Sequence, residues 1–349
     1  MIDSYKYWIV ILDKSAISFC YYENNNPHTQ RSELIPLNSL EQVIETARKN
    51  DISINFLYGK NPLPNDYNTL IESINHVKIL PVEQIENYEG IYVVDKTNFH
   101  LLEEAGKENN KNIILRIEKN NLKDLSGILN KALGRFCRLN LILADIEDYT
   151  QKDYDEYASQ LKKIEKLSDK VFINGQSTEI NFISDRIVLN AMNNCDAGIK
   201  HLTIAPDLKI YLCPAFYYDN EDSIGDLANG IEIKNKHLLS LEYSSLCRSC
   251  DAFHCKRCIY LNKKTTLEYN IPSKQQCVIS HLERNTSRNI LNYLGRNLMS
   301  SQNGNPIPEI DYLDPFEKII KKSNNGQRPD FEELTIKGIK NEERISNKK

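Results

Sequence analysis

Seven of the nine cysteines in this 349-residue sequence lie between positions 195 and 277. Four of them form a Cys-x-x-Cys-x4-Cys-x-x-Cys block that consists of Cys247, Cys250, Cys255 and Cys258. A Cys-x-x-Cys turn directs two thiolates at one metal because the backbone between them folds back on itself. A lone buried cysteine is ordinarily a small hydrophobic side chain. The number and spacing found here instead predict metal ligands.

The other three cysteines of this stretch approach the block from elsewhere in the chain. Cys195 and Cys213 precede it, and Cys277 follows it. In a reducing cytoplasm, crowded cysteines are metal ligands more often than disulfides. Four cysteines, or three cysteines and a histidine, suit zinc as well as iron–sulfur clusters. Spacing alone therefore leaves zinc and iron–sulfur open.

The overall composition excludes several classes of function. Hydrophobic residues make up 40% of the chain and charged residues 26%, which is typical of a soluble protein. The formal net charge of −4 predicts no general attraction to nucleic acid or to an anionic membrane. No apolar run approaches the roughly 20 residues of a membrane span, and the N-terminus has no signal-peptide cleavage site. We therefore expect a cytoplasmic protein without a nucleic-acid or membrane partner.

Short apolar runs alternate with amphipathic stretches in the N-terminal half of the chain. Strands are predicted at Trp8–Leu12, Ile54–Tyr58, Val77–Leu80, Ile91–Val94, Ile113–Ile117, Leu139–Leu143 and Val171–Asn174. Several are nearly continuous in Ile, Leu and Val, as is typical of parallel strands buried on both faces. Strand–helix alternation predicts an α/β fold with right-handed crossovers. It does not distinguish an open sheet from a barrel or partial barrel.

Three apolar stripes at helical spacing lie between these strands. They are Leu40, Val43, Ile44 and Ala47; Leu122, Leu125, Leu129, Ala132 and Leu133; and Tyr157, Leu161, Ile164 and Leu167. Asn38 and Glu41 are interpreted as an N-terminal capping pair for the first helix. The sequence therefore predicts helices that alternate with the strands of the sheet.

The sequence pattern changes near Cys195. From there to Cys277 it predicts short strands and turns. A closing helix is predicted from an apolar stripe that starts at Ile290. Beyond it the chain becomes polar, as in weakly ordered segments. The predicted division is an α/β domain at 1–190, a Cys-rich domain at 191–285, a closing helix at 286–300 and a polar tail at 301–349.

The order of the seven cysteines resembles the SPASM domain, which is attached to radical SAM enzymes that modify ribosomally made peptides. The stretch TIAPDLKIYLCPAF is similar to the "APDGKVYPCP" hairpin of that domain, with Leu208 in place of the turn glycine. Within the central block, the gaps are one residue shorter than the commonest family spacing. This resemblance covers the chain from Cys195 to Cys277. It favours, for the predicted α/β domain that precedes this stretch, a partial (β/α) barrel of radical SAM type.

The resemblance implies two auxiliary [4Fe–4S] clusters. One would be held by Cys247, Cys250, Cys255 and Cys277, and the other by Cys195, Cys213 and Cys258. The second set lacks a fourth ligand. Some relatives have a cysteine six positions after the first, where this sequence has His201. Histidine can ligate cluster iron, so His201 is a tentative ligand, and an ordinary packed histidine is the alternative.

The N-terminal segment resembles a radical SAM cluster loop that has lost two of its three thiolates. Cys20 occupies the third cysteine position, but Asp13 and Ile17 occupy the other two. The segment from Gly59 to Pro62 is similar to the Gly-Gly-Glu-Pro motif that binds S-adenosylmethionine, with Lys and Asn at its centre. Three soft thiolates are needed to hold such a cluster. We therefore expect no conventional cleavage of S-adenosylmethionine, regard binding of that cofactor as doubtful, and interpret Cys20 as strand-end packing.

The stretches CDAGIKHLTIAP, CPAFYYDNED and CDAFHCKRCIYLNKKTTLEYNIPSKQQC resemble the CXXX repeat peptide maturases. The resemblance implies maturation of a small Cys-rich precursor peptide, in which auxiliary clusters bind substrate or relay electrons. Two alternatives stay open. One is a non-catalytic scaffold or electron-donor partner of a true radical SAM enzyme, and the other is a zinc-stabilised peptide-binding module. No catalytic residue is assigned by the sequence, and an enzymatic role as a peptide-modifying maturase is favoured without being decided.

Overall fold

A computed structural model describes residues 5–24, 29, 31–104, 111–167 and 178–294, with side chains to 292. The described residues contain an eleven-stranded sheet. Its strands are β1 Tyr7–Ile11, β2 Ser53–Leu57, β3 His76–Pro81, β4 Ile91–Val94, β5 Asn112–Ile117, β6 Arg138–Leu143, β7 Glu179–Ile180, β8 His201–Ile204, β9 Lys209–Tyr211, β10 Gly225–Asp226 and β11 Gly230–Ile231. They lie in the order β11-β10-β9-β8-β1-β2-β3-β4-β5-β6-β7.

Eight neighbouring strands of this sheet, from β8 through β1 to β7, run parallel. After β7 the chain crosses back to β1. There β8 pairs in parallel with β1, with His201 opposite Tyr7. Strands β9, β10 and β11 then extend that edge as an antiparallel meander. The Cys-rich half of the chain is therefore joined to the first strand by backbone hydrogen bonds.

Helices connect and cover these strands. They are α1 Leu37–Lys49, α2 Asn65–Ile71, α3 Phe99–Glu104, α4 Leu125–Ala132, α5 Gln151–Glu165, α6 Arg186–Val188, α7 Pro214–Tyr218, α8 Ile259–Thr266 and α9 Lys274–Leu294. The buried residues of α1 include Leu40, Val43, Ile44 and Ala47, which is the apolar stripe seen in the sequence. None of the described helices is both long and apolar enough to span a membrane.

The predicted α/β class with a large parallel sheet is confirmed. Six predicted strands begin and end within two residues of the observed ones, since each is a short run made mostly of apolar residues. The predicted strand Val171–Asn174 lies outside the described residues. The predicted capping pair is wrong. Pro36 occupies the N-cap of α1, Asn38 lies inside the helix, and no side chain caps it.

The C-terminal part of the described chain is more helical than the sequence indicated. Helix α8 lies in the stretch predicted as short strands and turns. Helix α9 begins at Lys274, well before the predicted closing helix, and therefore carries Cys277. Strands from both sides of the predicted boundary at residue 190 belong to the same sheet. The proposed division into domains stays a prediction, and the predicted tail at 301–349 lies outside the described residues.

A side-chain amide completes the hydrogen bonding of β6 next to the short strand β7. Strand β7 pairs with only Arg138 and Leu139 of β6. Beyond them the Asn181 amide donates to the Leu141 carbonyl at 3.0 Å and accepts from the Leu141 N–H at 3.0 Å. Asn181 begins a π-helical turn that ends at Asp185. This amide therefore replaces the missing continuation of β7.

Replacing Asn181 with Ala should lower the free energy of unfolding by about 2 kcal/mol, because a buried N–H and a buried C=O lose their partners. Urea denaturation measures the change. The matched control is Gln151→Ala, which removes a side-chain amide bonded to Asp155 on the exposed surface of α5. That control should stay within about 0.5 kcal/mol of the wild type. Equal effects of the two variants would contradict this role of Asn181.

Candidate functional site

A cavity of about 550 Å³ lies against one face of the sheet. Side chains that alternate along the strands line it, among them Tyr7, Ile9, Asn55, Ile114 and Asn140. Five cysteines line the same cavity: Cys20, Cys195, Cys213, Cys255 and Cys258. The cavity is therefore bounded both by the parallel sheet and by segments from the Cys-rich half.

Backbone and side-chain hydrogen bonds hold Cys195 beside the second Cys-x-x-Cys turn. The Cys195 N–H donates to the Lys256 carbonyl at 2.7 Å. Arg257 Nε donates to Asn194 Oδ1 at 2.7 Å. The Arg257 N–H lies 3.4 Å from Cys255 Sγ, a geometry in which it donates to the sulfur. These contacts explain how cysteines that are distant in sequence reach one wall of the cavity.

Aromatic packing brings the Cys20 loop to Cys213. Cys213 occupies the N-cap of helix α7, which ends at Tyr218. The Tyr218 ring stacks on Tyr22, with centroids 5.4 Å apart and planes 9° apart. The Tyr218 hydroxyl donates to the Ala16 carbonyl at 3.4 Å. The loop after β1 and the loop before α7 are thus packed together, each with a cysteine at the cavity.

Four of these thiols share one electrostatic environment. Burial raises the pKa of Cys258 well above its usual value, and negative charge on Cys20, Cys195 and Cys213 raises it further. Burial and the charge on Cys195 raise the pKa of Cys20 to about 12. Burial likewise raises the pKa of Cys213 well above normal, with Cys195 and Cys20 adding to it. Without a compensating cation, each thiol is therefore protonated.

Three other cysteines form a second group. Cys247 begins a 3₁₀ turn that ends at Ser249, and the Cys250 N–H donates to the Cys247 carbonyl at 3.1 Å. Burial raises the pKa of Cys255 to about 12, and negative charge on Cys247 and Cys250 adds to the shift against hydrogen bonds that lower it. Cys255 therefore belongs to this group while it also lines the cavity.

Helix α9 presents a histidine to this second group. His281 Nε2 lies 3.6 Å from Cys250 Sγ. Cys277 is one helical turn before His281, so the two side chains share a face of α9. Sequence reasoning assigned Cys277 as a ligand and gave His281 no role. The i, i+4 spacing of the two residues was the signal that could have identified it.

Buried polar contacts fix the loop between the two Cys-x-x-Cys turns. Asp251 accepts from Arg284 at 2.7 Å and from Arg186 at 3.4 Å. His254 Nε2 lies 3.0 Å from Glu283 Oε2, and the Tyr157 hydroxyl donates to the other Glu283 oxygen at 2.7 Å. Glu283 and Arg284 therefore attach the Cys-rich loop to α9, and Tyr157 attaches it to α5.

Asp13 and Ile17 occupy the positions of the two missing loop cysteines, and both side chains make contacts within the protein. Asp13 is 2% exposed, and its carboxylate accepts from the N–H and hydroxyl of Ser15, the hydroxyl of Ser32 and the N–H of Glu33. Ile17 packs against the hydrophobic core. Neither side chain is available as a ligand. Because a Cβ on Gly59 would lie 2.9 Å from the Asp13 Cβ, the second strand also ends tightly against this loop.

His201, the tentative fourth ligand, is buried on β8 and lines the cavity. Its ring stacks on Tyr7, with centroids 4.8 Å apart and planes 18° apart. Its Nδ1 has no hydrogen-bond partner among the described residues. Burial lowers the pKa of His201 to about 4, opposed by the charge of Asp196. The ring is therefore neutral at physiological pH, and its role as a ligand stays a prediction.

The described side chains contain no group of three or more His, Cys, Asp or Glu residues arranged to hold a single metal ion. A tetrahedral zinc site has Zn–S bonds of about 2.3 Å, which place its sulfurs roughly 3.8 Å apart. The thiolates of a [4Fe–4S] cluster each bind a different iron and stand further apart. The grouped thiols are thus not preformed for a single ion.

Comparison with solved structures identifies the fold. The structure of native anSMEcpe with bound AdoMet and the Cp18Cys peptide is 14% identical, has a TM-score of 0.54, and the match covers 83% of this chain and 99% of that chain. Native anSMEcpe with AdoMet and the Kp18Cys peptide is 13% identical, with a TM-score of 0.53 and coverage of 84% and 98%. The chain therefore shares the fold of anSMEcpe over most of its length.

Two other comparisons found no relative. No protein-family model matches the sequence. No curated protein matches it either.

His201 predicts acid sensitivity with a defined sign. The unfolded chain takes up a proton near pH 6.5, whereas folded His201 resists protonation until about pH 4. Stability is therefore lost as the pH falls through this window, by up to about 3 kcal/mol. His201→Phe should remove this component in urea denaturation at about pH 7 and about pH 4.5.

Tyr7→Phe is the matched control for this prediction, because it keeps the stacked ring and the burial of His201. It should retain the acid sensitivity of the wild type. An acid-induced loss of stability that is unchanged in His201→Phe would contradict the assignment to His201.

Proposed function

We propose that this protein matures a small Cys-rich precursor peptide, which enters the cavity between the sheet and the grouped thiols. One observation carries the proposal: a single cavity is lined by the sheet and by five cysteines. The proposal includes the finer assignment of a partial barrel of radical SAM type followed by a SPASM-like domain. In this assignment the parallel sheet provides the binding site, and the Cys-rich segments provide the redox groups.

The SPASM resemblance favours iron–sulfur clusters over zinc for these thiols. They come from separate segments, and Cys195, Cys213 and Cys258 line one cavity. The first cluster would use Cys247, Cys250, Cys255 and Cys277, and the second would use Cys195, Cys213 and Cys258. A bound cluster would supply cationic iron, which offsets the energetic cost of buried thiolates. A zinc-stabilised peptide-binding module is the alternative that metal analysis distinguishes.

The size and polarity of the cavity support a peptide ligand. A volume of about 550 Å³ lies within the usual range for ligand pockets. The amides of Asn55, Asn140 and Asn193 line it beside apolar side chains such as Ile9 and Ile114. Amides can both donate to and accept from a peptide backbone. The anSMEcpe structures that share this fold hold peptides, and the resemblance to CXXX repeat maturases adds the expectation of a Cys-rich sequence.

A second candidate is a non-catalytic partner of a true radical SAM enzyme, or an electron donor to it. The observation that favours it is the state of Asp13 and Ile17, which are used by the loop's own hydrogen bonds and packing. Conventional cleavage of S-adenosylmethionine is therefore not part of the proposal. A mass change in the peptide on incubation with reductant and cofactor, without a second enzyme, excludes this candidate.

The test of peptide binding uses a labelled peptide with a Cys at every fourth position and the anaerobically purified full chain. Asn55→Trp, which fills the cavity from strand β2, should weaken binding at least about tenfold, or about 1.4 kcal/mol, in fluorescence anisotropy. The control Val188→Trp alters a side chain that is 69% exposed and does not line the cavity. It should leave the affinity unchanged.

Iron, sulfide and zinc are measured on the same preparations. Stoichiometric iron and sulfide support the cluster assignment, whereas a colourless protein with stoichiometric zinc rules it out. Wild-type affinity in Asn55→Trp would show that the peptide does not enter the cavity, and the proposed function would then be wrong.

A further inference from the structure

One cysteine at the cavity belongs to neither ligand set implied by the SPASM resemblance. Cys20 lies in the loop after β1 and was interpreted as strand-end packing. In the fold it is half-buried and lines the cavity together with Cys195, Cys213 and Cys258. Packing in the core does not by itself explain why Cys20 lies at the same cavity as three thiols from distant segments. Its position therefore needs another explanation.

The loop that carries Cys20 is held in place by many contacts. The Asp13 carboxylate fixes its beginning through Ser15 and Ser32. The Asn24 amide donates to the Lys14 carbonyl at 3.3 Å and fixes its end. Between these points Tyr22 stacks on Tyr218 of helix α7. The position of Cys20 beside the segment that begins at Cys213 is thus determined by packing on both sides of it.

The set of Cys195, Cys213 and Cys258 is one ligand short, and two further side chains of the cavity, Cys20 and His201, are candidates to complete it. The His201 ring lies on strand β8 and stacks face to face on Tyr7. The Cys20 loop instead packs on the segment of Cys213 through a stacked pair of tyrosines. A thiolate is also a softer ligand for iron than an imidazole. These two points favour Cys20.

We propose that Cys20 is the fourth ligand of the cluster held by Cys195, Cys213 and Cys258. Cys20 is the one cysteine in the N-terminal loop that resembles a radical SAM cluster loop. This inference rests on the proposed function, because it assumes that these thiols bind iron and sulfide. Four soft thiolates suit a [4Fe–4S] cluster. All four irons then have protein ligands, so this cluster relays electrons and leaves substrate binding to the rest of the cavity.

The test compares iron and sulfide per chain in anaerobically purified full-length variants. The wild type should hold about eight irons in two clusters. Cys20→Ala should hold between about four and about seven irons, through loss of one iron or of the whole cluster. A remaining three-iron cluster gives an electron paramagnetic resonance signal. His201→Ala should match the wild type, and so should the control Cys137→Ala, which changes an exposed cysteine.

Full iron in Cys20→Ala, with loss of iron in Cys195→Ala, would overturn this inference and leave the proposed function standing. Absence of iron from the wild type would overturn both. Loss of iron in His201→Ala but not in Cys20→Ala would assign the fourth bond to His201 and would also overturn the inference.

A second measurement on the wild type is independent of whether Cys20→Ala folds. The iron-loaded protein is treated with a thiol-alkylating reagent and its modified cysteines are mapped by mass spectrometry. Cys20 should be protected, and it should become modified after the iron is removed by chelation. Exposed Cys137 should react in both states. Modification of Cys20 in protein that retains all its iron would overturn the inference.

Discussion

The energetic cost of placing several thiolates around one cavity is the constraint on which the proposed metal sites depend. A thiolate taken out of water is destabilised, and a neighbouring thiolate destabilises it further. Both effects act on Cys20, Cys213 and Cys258, whose pKa values all rise above the usual value for cysteine. In the proposed clusters, cationic iron would offset this cost by binding the sulfurs in their charged form. Without iron the thiols stay protonated.

The sheet topology brings these thiols together. Because β8 pairs in parallel with β1, the chain that follows Cys195 is attached to the strand that precedes Cys20. The antiparallel partner β9 then leads into Cys213. The Asp251–Arg284 ion pair and the contact between His254 and Glu283 attach the loop between the two Cys-x-x-Cys turns to α9. One face of the sheet and the thiols of Cys20, Cys195, Cys213, Cys255 and Cys258 therefore line one cavity.

Much of the sheet was predictable from the sequence because most of its parallel strands are short runs made mainly of apolar residues. The run at Ile91–Val94, for example, is observed with the predicted bounds. The environment of Cys20 was not predictable, since its thiol neighbours Cys195, Cys213 and Cys258 all come from the other half of the chain. The structural role of Asp13 was hidden for the same reason, because its partners include Ser32 and Glu33 across a loop. Local patterns predict local elements, whereas these contacts depend on how distant segments pack together.

An anaerobic crystal structure with anomalous diffraction data at the iron and zinc edges tests the central claim most directly. The account predicts two compact iron peaks, one of them surrounded by the sulfurs of Cys20, Cys195, Cys213 and Cys258. The second peak should lie among Cys247, Cys250 and Cys255. Sulfurs without iron density, or a single-ion peak that appears only at the zinc edge, would contradict the account.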